Sequence, residues 1–334
     1  MWYDSNNYEL RTNKNEWENE KMKKKAISLI VALGMTLSMA ACGSSTATQE
    51  AAPADAAATT EAASDAAAQT TETTEAAADT AATIETVTQG KLTVATSPDF
   101  APYEFYAIGE DGSPALAGFD MALAQYIADY LNLELEVVTV DFDGVLSELQ
   151  TKSVDLGMAG LSPDPKREAI MDFSDIYYMG GQSLVTVTAN AEVYNSFEAI
   201  NKPEVSVGAQ TGSIQLDLAN TNSPDADIIS LPKVTDIISE LLAGKMDAAY
   251  IETDVALSYQ KNYPDLAVVM DVPYETEGSA IGVNKGNEAL KAGVNEAIAA
   301  AKADGSLEKF IADANELASG EKYEGLLDAA GNVQ

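Results

Sequence analysis

The chain has 334 residues, 46% of them hydrophobic, and a formal net charge of −34; that length and apolar content fit a globular protein of two domains, each with its own core. It contains no histidine and one cysteine, Cys42, which excludes Cys/His zinc sites, Ser-His-Asp triads, Cys-His dyads and any disulfide within the chain. From Lys91 onward forty acids face thirteen bases, a surface that repels phosphate backbones and anionic headgroups, so no nucleic acid is expected as a partner.

Residues 1–21 are polar and patternless and read as an upstream extension, because Met22 with Lys23, Lys24 and Lys25 begins a basic head. An apolar run over 26–41 follows. Residues 22–41 therefore read as a secretory signal peptide, too short for a spanning helix with ordinary flanks. The sequence Ser38-Met39-Ala40-Ala41-Cys42-Gly43 resembles the lipobox of bacterial lipoproteins, with Met39 where leucine is commonest. That resemblance implies lipidation of Cys42, which becomes the new N-terminus and anchors the protein in the lipid bilayer on the outer face of the cell membrane. After Cys42, residues 43–90 are Ala, Thr, Glu, Asp and Ser with little else. Scattered threonines and repelling acids favour a disordered acidic tether over 42–90. As a flexible coil it would span roughly 40 Å.

From residue 91 strand and helix patterns alternate. Residues 92–96 read as a strand, and Phe119, Ala122, Leu123, Tyr126, Ile127 and Tyr130 mark one face of a helix. Residues 135–140 read as a strand, 145–152 as a helix and 154–159 as a strand. A second set follows, with strands at 205–208, 228–231 and 247–251 and helices from Ser213, over 234–243 and from Asp254. A strand at 280–283 and helices across 288–317 close the chain. Such alternation predicts an α/β fold of mostly parallel sheets with helices on both faces.

The two sets repeat each other. Residues 144–160 lie over 236–252 without a gap, with Ser147/Ser239, Glu148/Glu240, Leu149/Leu241 and Asp155/Asp247 identical. Val145/Ile237, Leu146/Ile238 and Val154/Met246 are conservative. The repeat makes Gly160 and Glu252 equivalent, each just past the carboxyl end of a strand. In open α/β sheets ligands bind there, and two such ends facing each other make a site enclosed by both lobes.

Arg167 is the only arginine after Cys42, whereas the other bases of the folded part are lysines. Its planar fork grips a carboxylate bidentately, which a lysine cannot do. Asp164 and Pro165 read as the N-cap and first residue of a helix carrying it. Gly208 to Ile214 leave a strand and open a second helix, where free N–H groups and the Ser213 hydroxyl form an anion seat. Glu252 supplies the opposite charge for an ammonium. Together these match the two ends of a zwitterion. Phe100 and Tyr103 lie in the loop after the first strand, and Phe142 beyond a later strand end, placed to wall a ligand.

At these residues the chain resembles the family 3 solute-binding proteins of ABC transporters, the polar amino acid group. Five segments carry the likeness, in order: 99–104, 118–120, 159–174, 207–213 and 244–252. The resemblance implies a two-lobe type II periplasmic-binding-protein fold, two mixed sheets joined by two hinge strands. Lobe 1 would comprise 91–184 and 274–320 and lobe 2 190–270, with crossing strands near 184–188 and 268–272 and a C-terminal tail at 321–334. It implies that Arg167, Ser213 and the Ile214 N–H hold the carboxylate of a free amino acid. The Gly160 carbonyl, Ser162 and Glu252, which stands where Asp is usual, would hold the amino group, and Phe100 and Phe142 would sandwich the side chain. Closing the lobes would bury the ligand for a membrane permease of an ABC importer. Neither cofactor nor metal is implied, and a monomer is expected.

Side-chain selectivity would involve Ser97, Asp99, Tyr103, Glu104 and Gln182, a polar, acidic set that favours polar or cationic amino acids over glutamate. Two other readings stay open on this scaffold. One is a cyclohexadienyl (arogenate or prephenate) dehydratase, with Glu252 or Glu104 as general acid. The other is a ligand-sensing domain for a separate receptor.

Overall fold

The computed structural model describes residues 84–108, 112–275 and 278–319. The expected extension, signal peptide, Cys42, most of its tether and the C-terminal tail lie outside the described residues. In chain order the first lobe begins with β1 (Lys91–Thr96), β2 (Asp99–Phe100), β3 (Glu104–Ile108) and β4 (Pro114–Ala117). Helix α1 (Phe119–Tyr130), β5 (Glu134–Thr139), α2 (Phe142–Gln150), β6 (Leu156–Gly157), the single turn α3 (Pro165–Glu168) and β7 (Met171–Phe173) follow. The second lobe runs β8 (Gln182–Val187), α4 (Phe197–Ile200), β9 (Ser206–Gln210), α5 (Ile214–Asn222), β10 (Asp227–Leu231), α6 (Val234–Leu242), β11 (Ala248–Glu252), α7 (Thr253–Asn262) and β12 (Leu266–Asp271). The chain then returns to the first lobe through β13 (Gly282–Asn284), α8 (Glu288–Asp304) and α9 (Ser306–Ala318).

Each lobe is built on a five-stranded mixed sheet, ordered β5-β1-β6-β13-β7 and β10-β9-β11-β8-β12. In both, the first three strands are parallel and the last two pairings antiparallel. This is the expected α/β architecture. None of the helices among the described residues is long and apolar enough to cross a membrane.

The internal repeat has a physical basis. Asp155 and Asp247 each stand at the start of a strand beside the first parallel strand of their lobe. The Asp155 carboxylate accepts the Thr93 N–H at 2.9 Å and the Val87 N–H at 2.7 Å. The Asp247 carboxylate accepts the Ser206 N–H at 2.9 Å, its hydroxyl at 3.0 Å and the Tyr194 hydroxyl at 3.0 Å. Both acids also donate their own N–H to the carbonyl of that neighbouring strand, Thr93 or Ser206. One device thus fixes the register of two sheets.

Three expectations are corrected. The segment after β1 is no simple loop: β2, β3 and β4 form an antiparallel sheet, hidden by the brevity of β2 and by the two prolines Pro102 and Pro114. The apolar face of α1 is rotated, since Leu123, Ala124, Ile127 and Ala128 are buried while Tyr130 is 41% exposed. Tyr126 leans outward to donate to Asp304 at 2.9 Å.

The lobe crossing also falls earlier than expected. β8 lies wholly in the second sheet, between β11 and β12, so Gln182, Ser183 and Leu184 belong to lobe 2. β8, with polar Gln182, Ser183 and Thr186 among its six residues, is buried almost throughout, as an interior strand is. The described connections are residues 174–181 on the way out and 272–275 and 278–281 on the return; the Ser174 N–H donates to Ile281 O, the Tyr177 N–H to Ser279 O, and the Val272 N–H to Gln182 O at the start of β8.

Removing either anchoring acid should show this. Asp155→Ala and Asp247→Ala each leave buried N–H groups unpaired, a loss of about 1–3 kcal/mol in urea unfolding. A neutral result for either would deny the repeat its structural role.

Candidate functional site

The site is assembled from strand ends. Asp164, in extended backbone, accepts the Lys166 N–H at 2.7 Å and Pro165 occupies the first helical position, as expected. This one capped turn directs Arg167 inward, where it is 7% exposed. Its Nη1 donates to Ser162 O at 3.0 Å and its Nη2 crosses to Gly212 O of the second lobe at 3.1 Å. The guanidinium also lies 5.5 Å from the centroid of Phe142, a cation–π contact. Among the described residues no carboxylate forms an ion pair with it. Burial lowers the Arg167 pKa, while Asp164 and Asp217 oppose the shift; a guanidinium stays charged regardless.

Gly212 is followed by the N-terminus of α5. Its φ of 76° lies in the left-handed region, and an added Cβ would approach Asp143 of the first lobe at 3.2 Å. Ser213 caps α5 by accepting the Leu216 N–H at 3.2 Å and donates its hydroxyl to Gln210 O at 2.7 Å. None of the described residues accepts from the Ile214 N–H. A helix end with an unsatisfied amide thus adjoins the carbonyl that Arg167 grips. The arrangement suits an anion.

Glu252 ends β11 and caps α7 through the Val255 N–H at 2.8 Å. Its other oxygen accepts the Gly181 N–H at 3.2 Å and, across the cleft, the Tyr103 hydroxyl at 3.3 Å. Burial pushes its pKa up to about 8, with Asp254 adding to the shift and these hydrogen bonds opposing it. Gly180 is required here, because a Cβ would sit 2.5 Å from Glu252 Oε1 and 2.7 Å from the Tyr103 hydroxyl. Phe100 joins this group. Its ring centroid is 5.4 Å from that of Tyr103, and a Cβ on Gly160, whose φ is 55°, would come within 2.8 Å of it.

Besides Tyr103, which donates to Glu252, the expected selectivity residues separate into three settings. Ser97 donates to Asp99 at 2.9 Å, and Asp99 in turn contacts the second lobe. Gln182 is buried and accepts from Gln215 at 2.8 Å. Glu104 is fully buried, with its carboxyl group in hydrogen-bonding contact with that of Asp120. Burial, then Asp120 and Asp99, push its pKa well above the carboxylate range.

Asp120, within the segment 118–120, has a role that the sequence alone does not show. Its carboxylate accepts the Tyr177 hydroxyl at 2.7 Å and the Gly160 N–H at 3.2 Å, fixing the loop that leads to Ser162. Gly118 before it was a readable signal, since a Cβ there would meet Tyr103 O at 2.1 Å. Burial raises the pKa of Asp120 and of Asp99 to about 6. No group of acids among the described residues is arranged to hold a metal.

The sequence model of the bacterial extracellular solute-binding proteins, family 3, matches residues 92–313. The arginine-binding extracellular protein ArtP of Bacillus subtilis is 30% identical over 291 residues, covering 86% of this chain and 96% of that protein. AbpA, an amino acid ABC transporter substrate-binding protein of Streptococcus pneumoniae solved with L-arginine, aligns with a TM-score of 0.67 at 34% identity, covering 70% of this chain and 97% of that one. An ancestral amino acid-binding protein, a precursor of cyclohexadienyl dehydratase, gives 0.60 at 31% identity and covers 67% and 94%. The architecture is that of the type II periplasmic-binding-protein fold.

The buried acids set a pH dependence. Glu104, Glu252, Asp99 and Asp120 all bind their protons more tightly folded than unfolded. Their contribution is therefore full below the unfolded carboxylate value and is lost as pH rises through the folded values. The Tm should fall as pH rises from about 5 to 8. Glu104→Gln should flatten that slope; a Tm that rises over this range would contradict the assignment.

Proposed function

The chain belongs to family 3 of the bacterial extracellular solute-binding proteins, and from that premise we propose that its cleft binds a free amino acid for import by an ABC-type permease. The reading rests on one observation: buried Arg167 of the first lobe meets the open N-terminus of α5 in the second, with no acid paired to it among the described residues. A ligand carboxylate is the group that this corner suits. Arg167, Ser213 and the Ile214 N–H receive it, and Glu252 with Ser162 and the Gly160 carbonyl receives the amino group. An ammonium beside Glu252 holds that carboxyl ionised and pulls its pKa down from about 8. Phe100 and Phe142 supply the apolar walls.

The ligand is a cationic amino acid. Glu252 and Asp120 are buried on or near the cleft against one buried guanidinium, so a ligand bringing net positive charge offsets the excess. The arginine-binding protein and the arginine-bound structure among its relatives support the same class. Three or four charge-assisted bonds of about 1.5–3 kcal/mol each reach the roughly 8 kcal/mol of a micromolar binder.

The family's extracellular relatives support an extracytoplasmic location, and the lipobox-like segment supports anchorage through Cys42. We read the protein as a binder and not as a dehydratase; aromatic product from prephenate or arogenate would refute that.

A thermal-shift screen of the twenty amino acids tests the proposal. At a hundredfold excess over Kd the true ligand adds about 2.7 kcal/mol of stability, and arginine or lysine should give the largest shift. Arg167→Lys should weaken binding at least about a hundredfold while leaving the unliganded Tm within a few degrees. Near-normal affinity in that variant would remove Arg167 from the site.

A further inference from the structure

Asp99 stands on β2 of the first lobe, 7% exposed, yet most of its contacts belong to the second. Within its own lobe it receives the Ser97 hydroxyl. Across the cleft its Oδ2 accepts the Val234 N–H at 2.5 Å and the Gln210 side-chain amide at 3.3 Å. Its backbone carbonyl accepts the Tyr259 hydroxyl, on α7, at 3.0 Å.

Val234 is the first residue of α6, and the preceding Lys233 gives that helix no side-chain cap. A lysine carries only donors and cannot satisfy the orphan N–H groups of a helix start. The acceptor comes instead from the opposite lobe. We propose that Asp99 is an inter-lobe clasp, capping α6 only when the lobes meet and so setting the free energy of closure without reading the ligand. This rests on the reading of two lobes closing over an amino acid.

The chemistry supports a clasp over a selectivity role. Both Asp99 oxygens already receive protein donors, so the carboxylate is not free to choose among side chains. Lys233, at the same helix start, adds attraction, whereas Asp141 opposes it. With the lobes apart, water replaces these donors and the helix dipole no longer faces a fixed anion. A ligand that needs the closed state binds with an apparent affinity scaled by how much closed state exists. Weakening the clasp therefore lowers affinity for every ligand by one factor.

Two variants in the full chain separate the partners. Asp99→Asn keeps the shape and removes the charge. Val234→Pro removes the donated N–H, and the site tolerates it: proline is favoured at the first helical position, and Lys233 has φ −122° and ψ 140°, the extended backbone that precedes a proline. Each should weaken arginine, lysine and glutamine by the same factor, about tenfold, chiefly through faster dissociation. The double variant should be no weaker than the weaker single one, because both remove one interaction.

A changed ranking among the three amino acids in Asp99→Asn would overturn the proposal, as would additive losses. X-ray scattering of the unliganded protein provides a readout independent of ligand identity. The wild type should be more compact than Asp99→Asn, and superimposable profiles would overturn the clasp. Absence of binding by the wild type to any amino acid would instead refute the proposed function, with the scattering comparison still deciding the clasp.

Discussion

A guanidinium removed from water must find acceptors, and Arg167 finds them on both lobes at once. Desolvating such a charge costs several kcal/mol unless hydrogen bonds replace the lost water. Here the Ser162 carbonyl replaces part from the first lobe and the Gly212 carbonyl part from the second, with the Phe142 ring against one face. Much of the local structure serves that placement. The Asp164 cap starts α3, Asp120 pins the Gly160 loop that leads to Ser162, and the left-handed backbone of Gly212 turns its carbonyl toward the fork. The same geometry ties the first lobe to the N-terminus of α5.

The rest of the cleft is a problem of excess negative charge. Burial raises the pKa of Glu252, Glu104, Asp99 and Asp120 alike, but each has a different remedy. Asp99 takes backbone and side-chain donors from across the cleft, Asp120 takes a tyrosine hydroxyl and a backbone amide, and burial favours the protonated form of Glu104. Glu252 is the intermediate case. It receives three hydrogen bonds, one of them the rather long contact from Tyr103, and its pKa remains near 8. Of the four it has most to gain from a cation, which is why the ammonium of the proposed ligand is placed there.

What the sequence made legible was what repeats or stands alone. Alternating strands and helices follow from hydrophobic period, and the doubled segment with Asp155 and Asp247 follows from direct alignment. Arg167 was visible because no other arginine accompanies it in the folded part. Ser213 and Asp164 were visible because capping chemistry is local. The small sheet β2-β3-β4 was missed because a two-residue strand carries no period. The crossing was misplaced because β8, which mixes polar and apolar residues, reads equally well as a connector or as the centre of a sheet. Gly180 and Gly181, which mark the true crossing, give their reason only in three dimensions, where Glu252 and Thr253 crowd them.

Asp99 shows the same limit in its sharpest form. Its partner Val234 is 135 residues away, and nothing in either segment announces the pairing except a missing cap at Lys233. Sequence reasoning grouped Asp99 with the ligand because it lies beyond a strand end, the right neighbourhood. Neighbourhood does not decide role; the distribution of donors does. Asp99, held by the Val234 N–H at 2.5 Å from the facing lobe, acts on the lobes, whereas Glu252, whose bonds from Gly181 and Tyr103 are 3.2 and 3.3 Å long and whose pKa stays near 8, has more to gain from what enters between them.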